Sequence, residues 1–239
     1  MKIALSELLT GQVQPFGPHD VPSGILKSPA NRPLWLGLEG FEGDAQGDRR
    51  HHGGPDKAVH HYPFEHYDVW RLTIGPCRAL DAAGAFGENL STQGLTEADI
   101  AIGDVFRLGE AVIEVSQGRQ PCWKLNHRFG VADMALRVQR SGRTGWYYRV
   151  LQEGLVRPDS ALERIERRTP DWPLARLWRV LYVNTLDMEE LSAMSALPDL
   201  PGSWRRLAER RLSSRKVEDW TKRLSDTATT ISSPPESRS

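Results

Sequence analysis

The stretch IAIGDVFRLGEAVIEVS, Ile100 to Ser116, carries two turn signals inside one short apolar run. Gly109-Glu110 separates VFRL from AVIEVS, and a two-residue link led by glycine suits a type II′ turn between antiparallel strands. Gly103-Asp104 marks a second turn, so the stretch predicts three short strands in a meander. Working outward, Gly and Pro break the chain from Met1 to about Arg168 into segments too short for helices of three turns. Recurring short strands protect their edges by curling and closing. The expectation is a mostly β domain, a barrel or sandwich, with helical insertions at Pro63–Leu72 and Val131–Gln139.

The pattern changes after Thr169-Pro170-Asp171. Leu174, Leu177, Trp178, Leu181 and Tyr182 follow the helical i, i+3, i+4, i+7, i+8 period. A second helix, capped by Asn184, carries Met188, Leu191 and Met194 and ends at Leu197-Pro198. Further pieces carry Trp204, Leu207 and Ala208, then Val217, Trp220 and Leu224. This gives a small helical domain over 169–224 behind a β domain over 1–168. The polar face of these helices holds Arg205, Arg206, Arg210, Arg211, Arg215 and Lys216, either a solvated face or a basic docking surface. The tail over 225–239 is almost devoid of large apolar residues and reads as disordered.

Composition narrows the function classes. Lys plus Arg equals Asp plus Glu at 31 each in 239 residues, so the strongly basic balance of a nucleic-acid binder is missing. No apolar run approaches the ~20 residues of a membrane span. The N-terminal MKIALSELLTGQVQPF lacks the charged start and long apolar core of a signal peptide. Only two cysteines occur, Cys77 and Cys122, too few for a disulfide framework. A cytoplasmic protein with reduced thiols is expected.

Two segments can carry chemistry. Gly37 to Tyr62 concentrates Gly, Arg49, Arg50, Lys57 and histidines without an apolar period. Backbone N–H groups near Gly53 and Gly54, with those cations, suit an anionic ligand such as a phosphate; the same composition also fits a long polar loop. The spacings of His51, His52, His60, His61 and His66 match no zinc motif. The other segment, SQGRQPCWKL, places Cys122 in a loop at a strand end with Arg119 and Lys124 beside it. Positive neighbours favour a thiolate, which attacks electrophiles or ligates a soft metal, whereas a small buried hydrophobe is the alternative. Cys77 lacks such a setting and reads as structural. Glu88 and Asn89, in FGENL, offer a carboxylate and an amide, equally compatible with a surface turn.

Taken together, GLEGFEGD (37–44), HHGGPDKAVHHYPFEHY (51–67), the run from Phe86 to Asn126, and RTGWYYRVLQEG (143–154) resemble the bacterial YiiM-type branch of the MOSC family. The resemblance covers roughly residues 10 to 165, and RRLAERRLSSRKVEDWTKRL (205–224) resembles the three-helix domain that follows in that branch. It implies a closed MOSC β-barrel and a molybdenum cofactor, with the metal on the dithiolene of a phosphorylated pterin. It further implies Cys122 as molybdenum ligand; motif position and chemistry add Glu88 and Asn89 as residues expected to line the site, and Arg49, His51, His52, Lys57 and Arg119 as candidate pterin or phosphate contacts. The implied activity is reduction of N-hydroxylated compounds such as hydroxylaminopurine bases, a detoxification. A non-catalytic carrier or sulfur-transfer module is the alternative, because MOSC domains also resemble the tail of cofactor sulfurases. No flavin or nicotinamide fingerprint is present, so a separate electron-donating reductase is the expected partner. Stable nucleic-acid binding and a membrane are not expected, and a homodimer stays open.

Overall fold

The computed structural model describes residues 1–47 and 53–226. A nine-stranded sheet forms the frame. Its order is Lys2–Ala4, Ala161–Glu166, Val105–Leu108, Ala111–Gly118, Trp146–Gln152, Val59–Pro63, Leu90–Thr92, Glu7–Thr10 and Ser28–Pro29. All its neighbours are antiparallel except Val59–Pro63 with Leu90–Thr92. Parallel strands need a crossover, and the Glu65–Ile74 helix supplies it. A three-stranded sheet (Gly154–Val156, Leu34–Gly37, Gly40–Phe41) and a two-stranded ribbon (Gln14–Phe16, Val21–Ser23) complete the β structure.

The hairpin at Gly109-Glu110 forms with Leu108 paired to Ala111. Gly109 has φ of 59° while Glu110 does not enter the left-handed region, the sign pattern of a type II′ turn. The third strand is not the one expected. Ile100 to Ile102 forms only an isolated bridge, Ala101 to Pro173, and its backbone bonds reach Trp172 and Leu174. The strand beside Val105–Leu108 is instead Ala161–Glu166, and Ala111–Gly118 pairs on its other side with Trp146–Gln152, long-range pairings that no turn residue announces.

The barrel is open, a curled half-barrel rather than the closed one expected. Its terminal strands, Lys2–Ala4 and Ser28–Pro29, do not pair with each other. The chain itself spans the gap: Leu5 N–H donates to Ser160 O at one end of the curl, and Ser6 N–H donates to Ser91 O at the other. Closure by chain passage leaves no ladder across the gap. Pro29 suits its edge strand, because it has no N–H to leave unpaired. "Mostly β" also understates the helices, which include Glu65–Ile74, Lys124–Phe129 and Met134–Ser141 in addition to the C-terminal set.

The C-terminal helices are Leu174–Tyr182, Met188–Ser195 and Gly202–Ser214, followed by the short Thr221–Leu224. Leu177, Leu181, Met194 and Trp204 join the half-barrel's own Ile113, Val115 and Trp146 in one continuous apolar cluster. Asp187, not Asn184, caps the second helix, its carboxylate accepting from Glu190 N–H at 3.1 Å. The arginine-rich face divides. Arg211 is buried at 1% exposure, pairs with Glu218 through two bonds of 2.7 and 3.0 Å, and donates to Leu181 O. Arg205 donates to the carbonyls of Ser195 and Leu197, both at 2.8 Å. Both therefore close the ends of neighbouring backbone segments and are not part of an open basic surface. Arg149 and Arg168 converge on Glu114, and each also reaches Asp199, tying the sheet to the helices.

Candidate functional site

The Ala111–Gly118 strand ends where Arg119 N–H donates to Gly145 O. The chain then turns through Pro121 and Cys122 into the Lys124–Phe129 helix. Leu125 and Phe129 of that helix enter a second apolar cluster with Tyr62, Tyr67, Trp70 and Phe86. Phe86 stacks on Tyr62 with centroids 3.8 Å apart and meets Phe129 at 4.9 Å. This aromatic stack fixes the Cys122 loop against the Phe86-Gly87 turn. Cys122 is buried and in no disulfide.

Cys122 stands between two adjoining cavities. The inner one, about 80 Å³, is lined by Lys27, Asp44, His60, Asn89 and Gly87 among others. The outer one, about 510 Å³, is lined by Pro22, Gln117, Gln120, Trp123, Lys222 and Arg223 among others. Gly47, Lys57, Arg119, Cys122, Lys124 and Tyr147 border both. Among the described lining residues cations therefore outnumber acids, and the one acidic group, Asp44, is already paired with Lys27.

The inner wall is braced by a buried polar lattice. Asp44 accepts from Lys27 Nζ, from Gly11 N–H at 2.8 Å and from Asn89 Nδ2 at 2.9 Å. Asn89 also donates to Leu9 O, accepts from His60 N–H at 3.0 Å, and sends its own N–H to His60 O. Burial pushes the Lys27 ammonium below its ordinary pKa, with Asp44 opposing the shift. Against this satisfied lattice stand three buried polar atoms that lack a hydrogen-bond partner among the described residues: His60 Nε2, Arg119 Nη1 and Gln117 Oε1. Unsatisfied buried groups are costly, so several around one pair of cavities point to a polar ligand. Burial, then the Arg119 charge, depresses the His60 pKa well below its usual value, so its ring is neutral at pH 7.

Of the residues singled out in the sequence, Cys122, Arg119, Lys57 and Asn89 come together on the cavity walls. Asn89 spends its amide on the lattice. Glu88 lies one layer behind the wall: it is wholly buried, accepts from Tyr67 OH, and takes Gly84 N–H at 2.7 Å and Phe86 N–H at 3.0 Å. Its carboxylate shapes the turn before Asn89. Arg49, His51 and His52 lie outside the described residues. His61 faces away from the cavities, bonded to Tyr148 OH and Thr92 Oγ1, with burial lowering its pKa to about 3. His66 bonds Glu97 at 2.8 Å. Among the described residues no three His, Cys, Asp or Glu side chains gather as a metal-ligand set. Cys77 is half-buried beside the second apolar cluster, with Phe129 O 3.8 Å from its Sγ.

Sequence reasoning missed Lys27, Asp44, Tyr147, Lys222 and Arg223, and assigned His60 no role. The alternation of VHHYP held the signal for His60: in a strand, adjacent side chains face opposite ways, so one of His60 and His61 must face the cavity. Nothing local marks Lys222 or Arg223.

Residues 48–163 match the MOSC domain model, and residues 172–215 match the YiiM-like 3-alpha helix domain. Protein YiiM of Escherichia coli K12 is 40% identical over 218 residues, 91% of this chain and 96% of that protein. Its crystal structure superposes with a TM-score of 0.79, covering 95% of this chain and all of the other at 36% identity. A Gibberella moniliformis protein called "Reductase" is 35% identical over 180 residues, 75% of this chain but 32% of that protein. The chain thus belongs to the MOSC domain family, in the YiiM-like group that carries a three-helix domain behind the MOSC fold.

Proposed function

We propose that the protein is a molybdenum-cofactor-dependent reductase that removes oxygen from N-hydroxylated compounds, hydroxylaminopurine bases among them. The observation that carries this reading is Cys122, a buried thiol on the wall shared by two cation-lined cavities whose Arg119 Nη1 has no partner among the described residues. A thiolate is a fitting ligand for a soft metal. Arg119, Lys57 and Lys124 suit a phosphorylated pterin, and Gln117 Oε1 offers an acceptor to its N–H groups. The outer cavity falls within the volume range of small-molecule sites.

When bound, molybdenum supplies the two-electron change by which R–NHOH, two protons and two electrons become R–NH2 and water. The residues of the chain bind, orient and desolvate. Arg119 and the lysines hold negative charge. His60, neutral and fixed through its backbone by Asn89, offers Nε2 as an acceptor to a hydroxyl or N–H donor. The aromatic stack behind Cys122 keeps water from the far side of the loop. Electrons come from a separate reductase, and the fungal relative called "Reductase," in which the similar segment is a third of a longer chain, supports a redox setting.

The test is turnover. Protein from a molybdenum-replete host, chemically reduced and mixed with 6-hydroxylaminopurine, is expected to yield adenine, while protein from a molybdenum-starved host yields none. Cofactor-loaded protein without amine product would favour the carrier alternative.

A further inference from the structure

We propose that the C-terminal segment Trp220–Asp226 is a working part of the Cys122 site, and that Arg223 is a positioning residue for the thiol. Arg223 brackets Cys122. Its guanidinium donates to Pro121 O, and its own carbonyl accepts from Trp123 N–H at 2.7 Å, so one residue holds the backbone on both sides of the cysteine. The partners lie 102 residues apart along the chain. The loop lies between a strand end and a helix start and has no ladder of its own, so these backbone groups need partners from elsewhere.

Two further bonds continue the attachment: Asn126 Nδ2 donates to Leu224 O at 2.9 Å, and His127 Nε2 lies 3.1 Å from Asp226 Oδ2. The same segment is tied to the helical domain. Trp220 meets Tyr182 edge-on at 5.4 Å and donates to Glu218, the partner of buried Arg211. Tyr182 OH in turn accepts from Gln120, inside the Cys122 loop. The helices therefore deliver a strap back onto the loop, and Lys222 and Arg223 form part of the outer cavity wall. Both family models end before this segment, at 163 and 215.

The inference rests on Cys122 as the central group of the proposed function, but its test needs neither metal nor pterin. Cofactor-free protein is treated with iodoacetamide, and the alkylation rates of Cys122 and Cys77 are read separately by peptide mass. Arg223→Ala is expected to speed alkylation of Cys122 by about tenfold, the factor that loss of one or two hydrogen bonds makes in a local opening equilibrium. Cys77 should keep its rate. Ending the chain after Asp226 should change neither. An unchanged Cys122 rate in folded Arg223→Ala, or an equal rise at both cysteines, would overturn the proposal. If Arg223→Ala does not fold, Arg223→Lys, which keeps the charge but not the fork that reaches both Pro121 and Gln139, carries the test with the same two outcomes. Failure here leaves the turnover experiment free to succeed, since the two measure different states.

Discussion

Replacing Asp44 by alanine removes the hub of the inner cavity's polar lattice. Three donors lose a bond at once, Lys27 Nζ, Gly11 N–H and Asn89 Nδ2, the last of which keeps Leu9 O. The Lys27 and Asp44 side chains are each only 5% exposed, so solvent cannot take over the bonds. Breaking a buried ion pair by deleting one partner costs about 3–5 kcal/mol, mostly from the charge left behind. With a urea m-value of about 3 kcal/mol/M, the unfolding midpoint should fall by roughly 1–1.7 M. The deficit should also depend on pH. Burial already holds the folded Lys27 pKa below 10.5, and without Asp44 only Glu88 opposes that shift, so the folded value drops further. Between the folded and unfolded pKa values the unfolded chain binds more protons, and stability rises with pH. The penalty of charged Lys27 is complete below the folded pKa and is relieved as pH climbs toward 10.5. The gap between Asp44→Ala and the parent should therefore be widest near neutrality and narrow on the alkaline side. A loss under about 1 kcal/mol, less than breaking a buried pair should cost, or a gap that ignores pH, would refute the reasoning.

Cys122→Ser should abolish turnover while Cys77→Ser keeps it, checked by steady-state rates on folded variants, because only Cys122 borders the cavities. Arg211→Ala should cost about 3 kcal/mol in thermal or urea unfolding, since it strands Glu218 and frees buried carbonyls. Charge reversal at Arg206 and Arg210 should slow turnover with a protein reductase more than with a small chemical reductant if those exposed residues dock the donor. Equal loss with both, or none with either, would remove the docking idea.

What the sequence disclosed and what it hid follow from the range of the interactions. The turn at Gly109-Glu110 and the helix over Leu174–Tyr182 were legible because turn chemistry and helical period are local. The pairing of Ala111–Gly118 with Trp146–Gln152 and the open curl were not, since neither leaves a mark within a few residues. The arginine run misled for a related reason. Arg211 follows Trp204, Leu207 and Ala208 at the helical i, i+3, i+4, i+7 spacing and so lies on the buried face, where Glu218 and the carbonyls at the end of Leu174–Tyr182, partners that only the fold supplies, seat its charge. Asp187 displaced Asn184 as the cap because the helix begins at Met188, the first residue of its apolar set, which leaves Asn184 three residues too early. At the site, Cys122 and Arg119 were found through a strand end with flanking cations. Lys27, Asp44 and Arg223 converge from distant segments, each unremarkable alone.

The central claim is that the Cys122 cavities hold a molybdenum-bearing pterin, and the most direct measurement is composition. Protein purified from a molybdenum-replete host, analysed by inductively coupled plasma mass spectrometry and by fluorescence of the oxidised pterin, should carry the two in equal amounts, up to about one of each per chain. Arg119→Ala should lower both together, because it removes a buried donor, Nη1, that has no partner among the described residues. Wild-type protein from that host with neither metal nor pterin would contradict the account.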